Sequence, residues 1–572
     1  MSEMPFIPGG AFLIESAAAG DILIPEELDA TTVALADAAA DFLRGVVLPA
    51  ADRLQQQEPG LMASLLRKAG ALGLMSLEIP EEYGGLALPK SATTRIAEAL
   101  AAEPSFAVSH NVHTSVATLP LVFFGTDEQK KRYLPRLATG EWIGAYALSE
   151  AHAGSDALAA RCRAVPQSDG GYTLIGEKMW ITNAAFADLF TVFARIEGQE
   201  KLTAFLVERT FPGVSIGREE HKLGLKGSST CRLILDSTPV PPEYVLGAPG
   251  EGGRIALYTL NLGRFKIAAS SLGQAKSLLG IATRYAKQRI AFGKPIAEFG
   301  LIQQKLARMA ARLFACESML YRVAGYLDTA FAAHASRITH HPAEEYAIEC
   351  ALLKVACTEA LDYCADECLQ IHGGYGYTEE FPAARAWRDA RVNRIYEGTN
   401  EINRLNVASL VLKRLADGRI DVTLATKLSD ARRYSVDAMR GAAMAAFDAA
   451  LDTLGPELRT HQQILAALAE MTMHLFAADS SELRSNRILE LGSSHTRWAN
   501  ASMARLLVRS EGGAAYRALS FAIGGDLAGE IDPEMRDRWA DAFDTVQSPG
   551  EARFDQERAL ARAVIDADGY CW

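Results

Sequence analysis

Cysteine is scarce, with eight residues in 572, which excludes a disulfide-stapled scaffold. Nothing points to export, so the thiols are expected to be reduced in a cytoplasm. No window approaches the ~20 consecutive apolar residues that a membrane-spanning helix needs. The stretch from Met1 to Ser16 has acidic residues but no basic segment ahead of an apolar one, so no signal or transit peptide is expected. Positive charge is in deficit: 58 Lys plus Arg face 70 Asp plus Glu, a formal charge of −12 at pH 7. That field repels nucleic acid and anionic lipid. The expectation is a cytoplasmic protein with no nucleic acid partner, peripheral to a membrane at most and not integral. Paired Cys at zinc spacing is lacking too. Cys350, Cys357, Cys364 and Cys368 fall on one stripe of a helix, where they pack as small hydrophobes, and no metal is expected.

What is present is a soluble-type composition, 49% hydrophobic and 22% charged, in a chain long enough for about four structural units. From Glu26 to Leu137 the text is rich in Ala and Leu at helical spacing, punctuated by turn signals at Gly84-Gly85 and Gly125. From Ala145 it changes to short β-branched or alternating runs: Tyr172 to Ile175, Met179 to Thr182, Leu189 to Ile196, Leu202 to Val207 and Cys231 to Leu235. After Gly253 long helical patterns return, over Leu257 to Gln288, Leu301 to Thr329 and Ala343 to His372. Beyond Lys413 a further helical stretch carries Leu465, Leu468, Met471 and Leu475 as one apolar face. No internal repeat or low-complexity linker interrupts the order. The expected fold is α+β and mostly α: an N-terminal helical domain (26–143), a central β-barrel or sandwich domain (144–253), a C-terminal four-helix bundle (254–412) and an additional C-terminal helical domain (413–572).

Four segments could carry chemistry. Gly373-Gly374-Tyr375-Gly376-Tyr377 follows a helix rather than a strand, so it fails the context test for a dinucleotide-binding turn. It reads either as a helix cap and turn or as backbone that a phosphate-bearing cofactor can approach, with the Gln370 amide nearby. Glu150, Ser155 and Asp156 lie where the helical and β-rich text meet, either in a capped loop or at a cofactor crevice. Lys178-Met179-Trp180-Ile181-Thr182-Asn183 is either a buried strand with Trp180 in the core, or a strand end offering an aromatic wall and a hydroxyl to a flat heterocycle. Glu397 in Arg394-Ile395-Tyr396-Glu397-Gly398-Thr399-Asn400 is either a solvated carboxylate or one desolvated among Ile395 and Tyr396 toward a general base's range.

Taken together, in order along Glu26 to Leu412, these motifs and Arg289 to Phe292-Gly293 resemble the acyl-CoA dehydrogenase family of FAD-dependent flavoenzymes. Asn261-Leu262-Gly263-Arg264-Phe265, Ile302 to Met309 and the long tail are most similar to the very-long-chain branch, which adds a C-terminal helical domain. The resemblance implies α,β-dehydrogenation of long-chain fatty acyl-CoA to the trans-2-enoyl-CoA within fatty acid β-oxidation. Glu397 would abstract the α-proton and flavin N5 would take the β-hydride, with electrons passing to an electron-transferring flavoprotein. It implies that Leu148, Ser149, Trp180 and Thr182 contact the flavin ring, with Thr182 near N5, and that Ser155 faces the pyrophosphate. Ser155 and Arg264 would also serve the substrate side, Arg264 as an active-site support. Arg289, Phe292, Gln370, Gly373 and Gly374 would reach the FAD of a neighbouring subunit in a homodimer or dimer of dimers, and Thr399 and Glu401 the adenosine half. The family's donors to the thioester carbonyl are the base's own backbone N–H and a ribityl hydroxyl. Some branches place the base at the position of Gly263, which here has no carboxylate.

Two departures stand out: Ser149-Glu150-Ala151 replaces the family's common Thr-Glu-Pro, and His152 follows it. Ser149 keeps the hydroxyl, whereas loop rigidity near Ala151 changes. The segment Ser109 to Phe124 is where the family lines its fatty-tail pocket, and Ser115, Ala117 and Thr118 are small enough to leave it open. Two other expectations stay open on the sequence: an acyl-CoA oxidase reoxidised by oxygen, and a non-catalytic assembly or DNA-associated relative, the latter disfavoured by the charge and by Glu397.

Overall fold

The N-terminal text folds as short helices because its apolar residues recur at helical spacing between strong start and stop signals. The computed structural model describes residues 4–333, 342–421, 435–527, 546 and 553–572. Helices α1 (Ala30–Phe42), α2 (Ala51–Gln55), α3 (Leu61–Ala71), α4 (Lys90–Ala99), α5 (Pro104–Val112), α6 (Leu119–Phe124) and α7 (Asp127–Thr139) follow one another. Asp29 caps α1 by accepting from the Thr32 N–H at 2.9 Å. Thr126 and Gln129 form a reciprocal capping box at the start of α7, and Gly140 at φ +70° ends it. Between α5 and α6 the chain widens into a π-turn, His113–Ala117, a feature that recurs at functional sites.

The middle of the chain is a connected eight-stranded sheet. Its strands are β1 (Gly144–Ala147), β2 (Arg163–Pro166), β3 (Tyr172–Thr182), β4 (Leu189–Ile196), β5 (Leu202–Glu208), β6 (Val214–Ile216), β7 (Thr230–Val240) and β8 (Val245–Leu246). The order is β6-β7-β3-β2-β4-β5-β8, with β1 pairing in parallel with β4. β4 and β5 pair antiparallel with Leu189 opposite Glu208, and both are buried along nearly their whole length, as their continuous apolar runs require. The expected runs Tyr172 to Ile175 and Met179 to Thr182 are one strand, β3, whose pairing to β7 slips between Lys178 and Ile181.

Long helices then return: α8 (Gly252–Gln288), a short hairpin β9 (Ile290–Ala291) and β10 (Lys294–Pro295), α9 (Gly300–Ala333), α10 (Pro342–Glu345), α11 (Ala347–His372), α12 (Pro382–Arg391) and α13 (Asn400–Ala416). The extension adds α14 (Val436–Leu454), α15 (Gln462–Glu490), α16 (His495–Leu527) and α17 (Arg553–Asp566). α11 is buried on most sides, and Cys350, Cys357, Cys364 and Cys368 pack inside it as small apolar groups. Two compact units result. One holds Asp29–Gln274 with Ile395–Gly398; the other holds the described residues up to Leu28, of Ala275–Arg394 and from Thr399 onward.

Within the second unit the extension is fastened by apolar burial and by paired buried charge. Leu465, Leu468, Met471 and Leu475 of α15 are all buried. Asp479 lies 2.7 Å from Arg322 of α9 and 3.1 Å from Arg440 of α14, and Arg440 also donates to the Phe12 carbonyl at 2.9 Å. Removing one partner of such a buried pair costs about 3–5 kcal/mol, because the other is left charged and unsolvated. No described helix is long and apolar enough to cross a membrane.

Candidate active site

In the first unit the site grows from the end of β1. Tyr146 lies on this strand, and Leu148 and Ser149 follow directly after it. The Ser149 carbonyl accepts from the Met179 N–H at 2.9 Å, stitching that exit to β3. Lys178, fully buried, donates to the Leu148 carbonyl at 3.1 Å and to Glu150 Oε1 at 2.6 Å. Glu150 also accepts from the backbone N–H groups of Arg161 and Cys162, at 2.7 and 3.0 Å. Burial opposes ionisation of Glu150, yet Lys178 outweighs it and holds the carboxyl below its ordinary value. Glu150 is therefore the hub that fixes the Leu148–Glu150 turn.

The slip in β3 decides the fate of Trp180. A regular strand would place its ring by alternation with Lys178, which is buried. Instead Trp180 adopts φ +62° at the register shift and its side chain is 56% exposed, the signature of a bulge that re-aims a residue. The buried-core reading of Trp180 is thus corrected, and the ring stands free on the unit's surface. Thr182, two residues on, is half-buried opposite Thr230. Asn183, also left-handed at φ +69°, donates from Nδ2 to the Ser109 carbonyl at 2.9 Å, tying the strand end to α5.

Glu397 belongs to this same unit. A Cβ built on Gly263 of α8 would stand 3.0 Å from Glu397 Oε2 and 3.0 Å from Val116 of the π-turn. The carboxylate thus occupies the space that a side chain at 263 would take. Arg264, 7% exposed, donates from Nε to the Glu397 carbonyl at 3.2 Å and from Nη1 to Asn261 Oδ1 at 3.0 Å. Glu397 and Gly398 both have positive φ, +56° and +80°. The Tyr146 hydroxyl is buried with no hydrogen-bond partner, and burial and the charge of Glu397 raise its pKa well above the ordinary value. One expectation is corrected: Ile395 is 53% exposed, so the wall beside Glu397 comes from Gly263, Val116 and Tyr146 rather than from its sequence neighbour. Ser155 lies on an exposed loop, and no hydrogen bond joins it to these groups.

The second unit gathers other candidates. The β9–β10 hairpin presents Phe292, 96% exposed at φ +51°. Arg289 lies over the Tyr375 ring, 5.7 Å from its centroid, and Tyr285 donates to the His372 carbonyl at 3.2 Å, so Arg289 and the Gly373-Gly374 turn are brought together. Gly373 caps α11 at φ +59°, as the helix-cap reading expected, and a Cβ at Gly373 or Gly374 would meet nothing within 4 Å. Gln370 is exposed one turn earlier. Thr399 caps α13, accepting from the Ile402 N–H at 3.3 Å, and Glu401 stands exposed in its first turn.

Each unit, taken by itself, holds groups that fit part of a flavin dinucleotide. The first unit offers a free-standing indole, the Ser149 and Thr182 hydroxyls and the orphaned Tyr146 hydroxyl, and the second offers bare glycine backbone beside an arginine. Tyr146 is not legible in the sequence, since a lone Tyr in a small-residue strand carries no motif of its own, and Asn261 enters there only as part of Asn261-Leu262-Gly263-Arg264-Phe265, with no role of its own.

Comparison with known proteins agrees. Family models for the N-terminal, middle and C-terminal domains of acyl-CoA dehydrogenase match residues 29–141, 145–238 and 250–412. A probable acyl-CoA dehydrogenase of Bacillus subtilis (strain 168) is 42% identical over 505 residues, 84% of this chain and 85% of that protein. The very long-chain specific acyl-CoA dehydrogenase of Mus musculus is 39% identical over 396 residues, 65% of this chain and 58% of that protein. A crystal structure of an acyl-CoA dehydrogenase complexed with FAD from Bacillus anthracis matches with a TM-score of 0.93 at 36% identity, over 99% of this chain and 100% of that one. On this sequence and structural similarity the chain belongs to the acyl-CoA dehydrogenase family and is an FAD-dependent acyl-CoA dehydrogenase.

Proposed function

We propose that the enzyme oxidises long-chain fatty acyl-CoA to the trans-2-enoyl-CoA with Glu397 as its base. The observation that carries this reading is the carboxylate of Glu397 seated over Gly263. A thioester α-proton is weakly acidic, so the base must be held at one place while charge develops on the carbonyl oxygen. Arg264 supplies that hold: it grips the Glu397 carbonyl and is itself anchored by Asn261. The left-handed backbone at Glu397 and Gly398 turns the chain sharply at this point. When bound, FAD supplies the acceptor for the hydride leaving Cβ. Leu148, Ser149, Trp180 and Thr182 are the proposed contacts to its ring, and Ser155 to its pyrophosphate and the substrate. Arg289, Phe292, Gln370, Gly373 and Gly374 are proposed to serve a neighbouring subunit's cofactor, and Thr399 and Glu401 the adenosine half.

Long-chain preference is supported by the similarity to a very-long-chain relative and by the small residues of the π-turn, Ser115 and Ala117. The proposed acceptor is an electron-transferring flavoprotein and the proposed compartment the cytoplasm. The proposed domain limits are 26–143, 144–253, 254–412 and 413–572. Anaerobic titration with acyl-CoAs of graded length tests the substrate: bleaching of the flavin band is expected to be most complete with long chains, and bleaching confined to short ones contradicts the reading. Fast oxygen consumption with substrate would contradict the proposed acceptor.

A further inference from the structure

Asn400, the first residue of α13, is fully buried and uses its whole amide. Its Oδ1 accepts from Lys354 Nζ at 2.7 Å, and its Nδ2 donates to Thr358 Oγ1 and to Glu359 Oε1, each at 3.1 Å. Glu359 is shared, because its Oε1 also lies 2.8 Å from Arg404 Nη1 and its Oε2 accepts from Arg404 Nη2 at 2.9 Å. Arg404 Nε then donates to Glu470 Oε1 at 2.5 Å. Glu470 comes from α15, in the C-terminal extension. A chain of charge-assisted hydrogen bonds thus runs from the extension through α13 and α11 to the residue beside the helix cap Thr399.

We propose that Glu470 is a positioning residue for the cofactor: through Arg404 and Glu359 it fixes Asn400, and with it the Thr399–Glu401 turn. The inference rests on the assignment of that turn to the adenosine half of FAD made above. Its physical basis is the sharing at Arg404. Two carboxylates divide one planar guanidinium, so each is held in a fixed direction. Without Glu470 the guanidinium is released on one side and can swing with Glu359, which then loses its orientation toward the Asn400 amide. The links at Glu359, Arg404 and Glu470 are partly buried, and a network there that is only partly satisfied loosens and rearranges. Burial works against ionisation at both carboxyls: at Glu359 the hydrogen bonds from Arg404 overcome it and keep the carboxyl below its ordinary value, whereas at Glu470 burial outweighs Arg404 and raises it, so the hold of Glu470 on Arg404 rests on the geometry of their hydrogen bond.

The test is FAD release from the full-length, flavin-loaded protein after dilution, followed as the rise in fluorescence of freed FAD. Thr399→Ala, Glu470→Ala and the double variant are compared, with Leu468→Ala as a control that damages α15 at a buried apolar position. Glu470→Ala is expected to speed release about ten-fold, the usual size of coupling within one network. The double variant is expected to lose less than the product of the single effects, and Leu468→Ala to lower thermal stability without speeding release. Faster release in Thr399→Ala alone, or multiplicative effects in the double variant, would overturn the inference and leave the turn's assignment standing. Unchanged release in Thr399→Ala would overturn the assignment and the inference with it. An equal effect of Leu468→Ala would show general loosening and overturn the inference.

Discussion

At residue 263 the absence of a side chain is a requirement of the site. A methyl group there would press on Glu397 Oε2 and on Val116, each at 3.0 Å, closer than nonbonded atoms sit comfortably. The carboxylate is the freer of the two neighbours and would move first. Misplacing a catalytic group by about 1 Å can cost as much as 10²-fold in rate. Gly263→Ala is therefore expected to fold and keep its flavin but to reduce it at least ~10-fold more slowly, read by stopped-flow absorbance. A full rate in that variant would show that the carboxylate is not held there during reaction.

At the scale of elements, the π-turn and the β3 bulge set the site's shape. His113 in the π-turn accepts the Gly144 N–H on Nδ1 at 3.0 Å, so its Nε2–H donates to the Leu137 carbonyl at 3.0 Å. The ring is neutral, and burial pushes its pKa down to about 4. An unfolded histidine titrates near 6.5, so between these values the unfolded chain binds a proton that the folded chain refuses. Stability from the neutral ring is whole above about pH 6.5 and is lost as pH falls toward about 4. His113→Gln is expected to flatten the fall in melting temperature between about pH 7 and pH 5. It would not abolish that fall, because buried His110, pushed down to about 3, contributes in the same direction. Equal slopes in the two proteins would contradict this.

The same elements show what the sequence made legible. β4 matched its apolar run to the residue, Leu189–Ile196, because a strand buried on both faces needs no partner information to be seen. β1, β2 and β6 have four residues or fewer, too short for any period to emerge. Trp180 is legible either as a core aromatic or as an aromatic wall at a strand end, and the choice between the two is made by a bulge set by pairing to β7 rather than by local sequence. Glu397 was found by its motif, whereas its true neighbours Gly263, Val116 and Tyr146 are brought to it by the fold.

At the scale of the whole molecule, two surfaces carry expectations. Phe292, Leu301 and Tyr377 are 96%, 75% and 85% exposed, three large side chains left open in the unit that holds the proposed intersubunit residues, which suits burial against a second copy. The protein is expected to sediment as at least a homodimer and Arg289→Ala to shed FAD; a stable monomer with full flavin would contradict both. The extension from Lys413 has 19 basic against 24 acidic residues and buries the apolar stripe of α15 within its own unit. Weak or no flotation with anionic liposomes is expected, and salt-sensitive flotation lost on removing the extension would overturn that.

The most direct test of the account is the rate of flavin reduction in Glu397→Gln, measured anaerobically by stopped flow with a long-chain acyl-CoA. The variant is expected to bind FAD and acyl-CoA as the parent does, yet to reduce its flavin at least ~10²-fold more slowly, the low end of general-base effects. Reduction at the parent rate would contradict the account and place the base elsewhere.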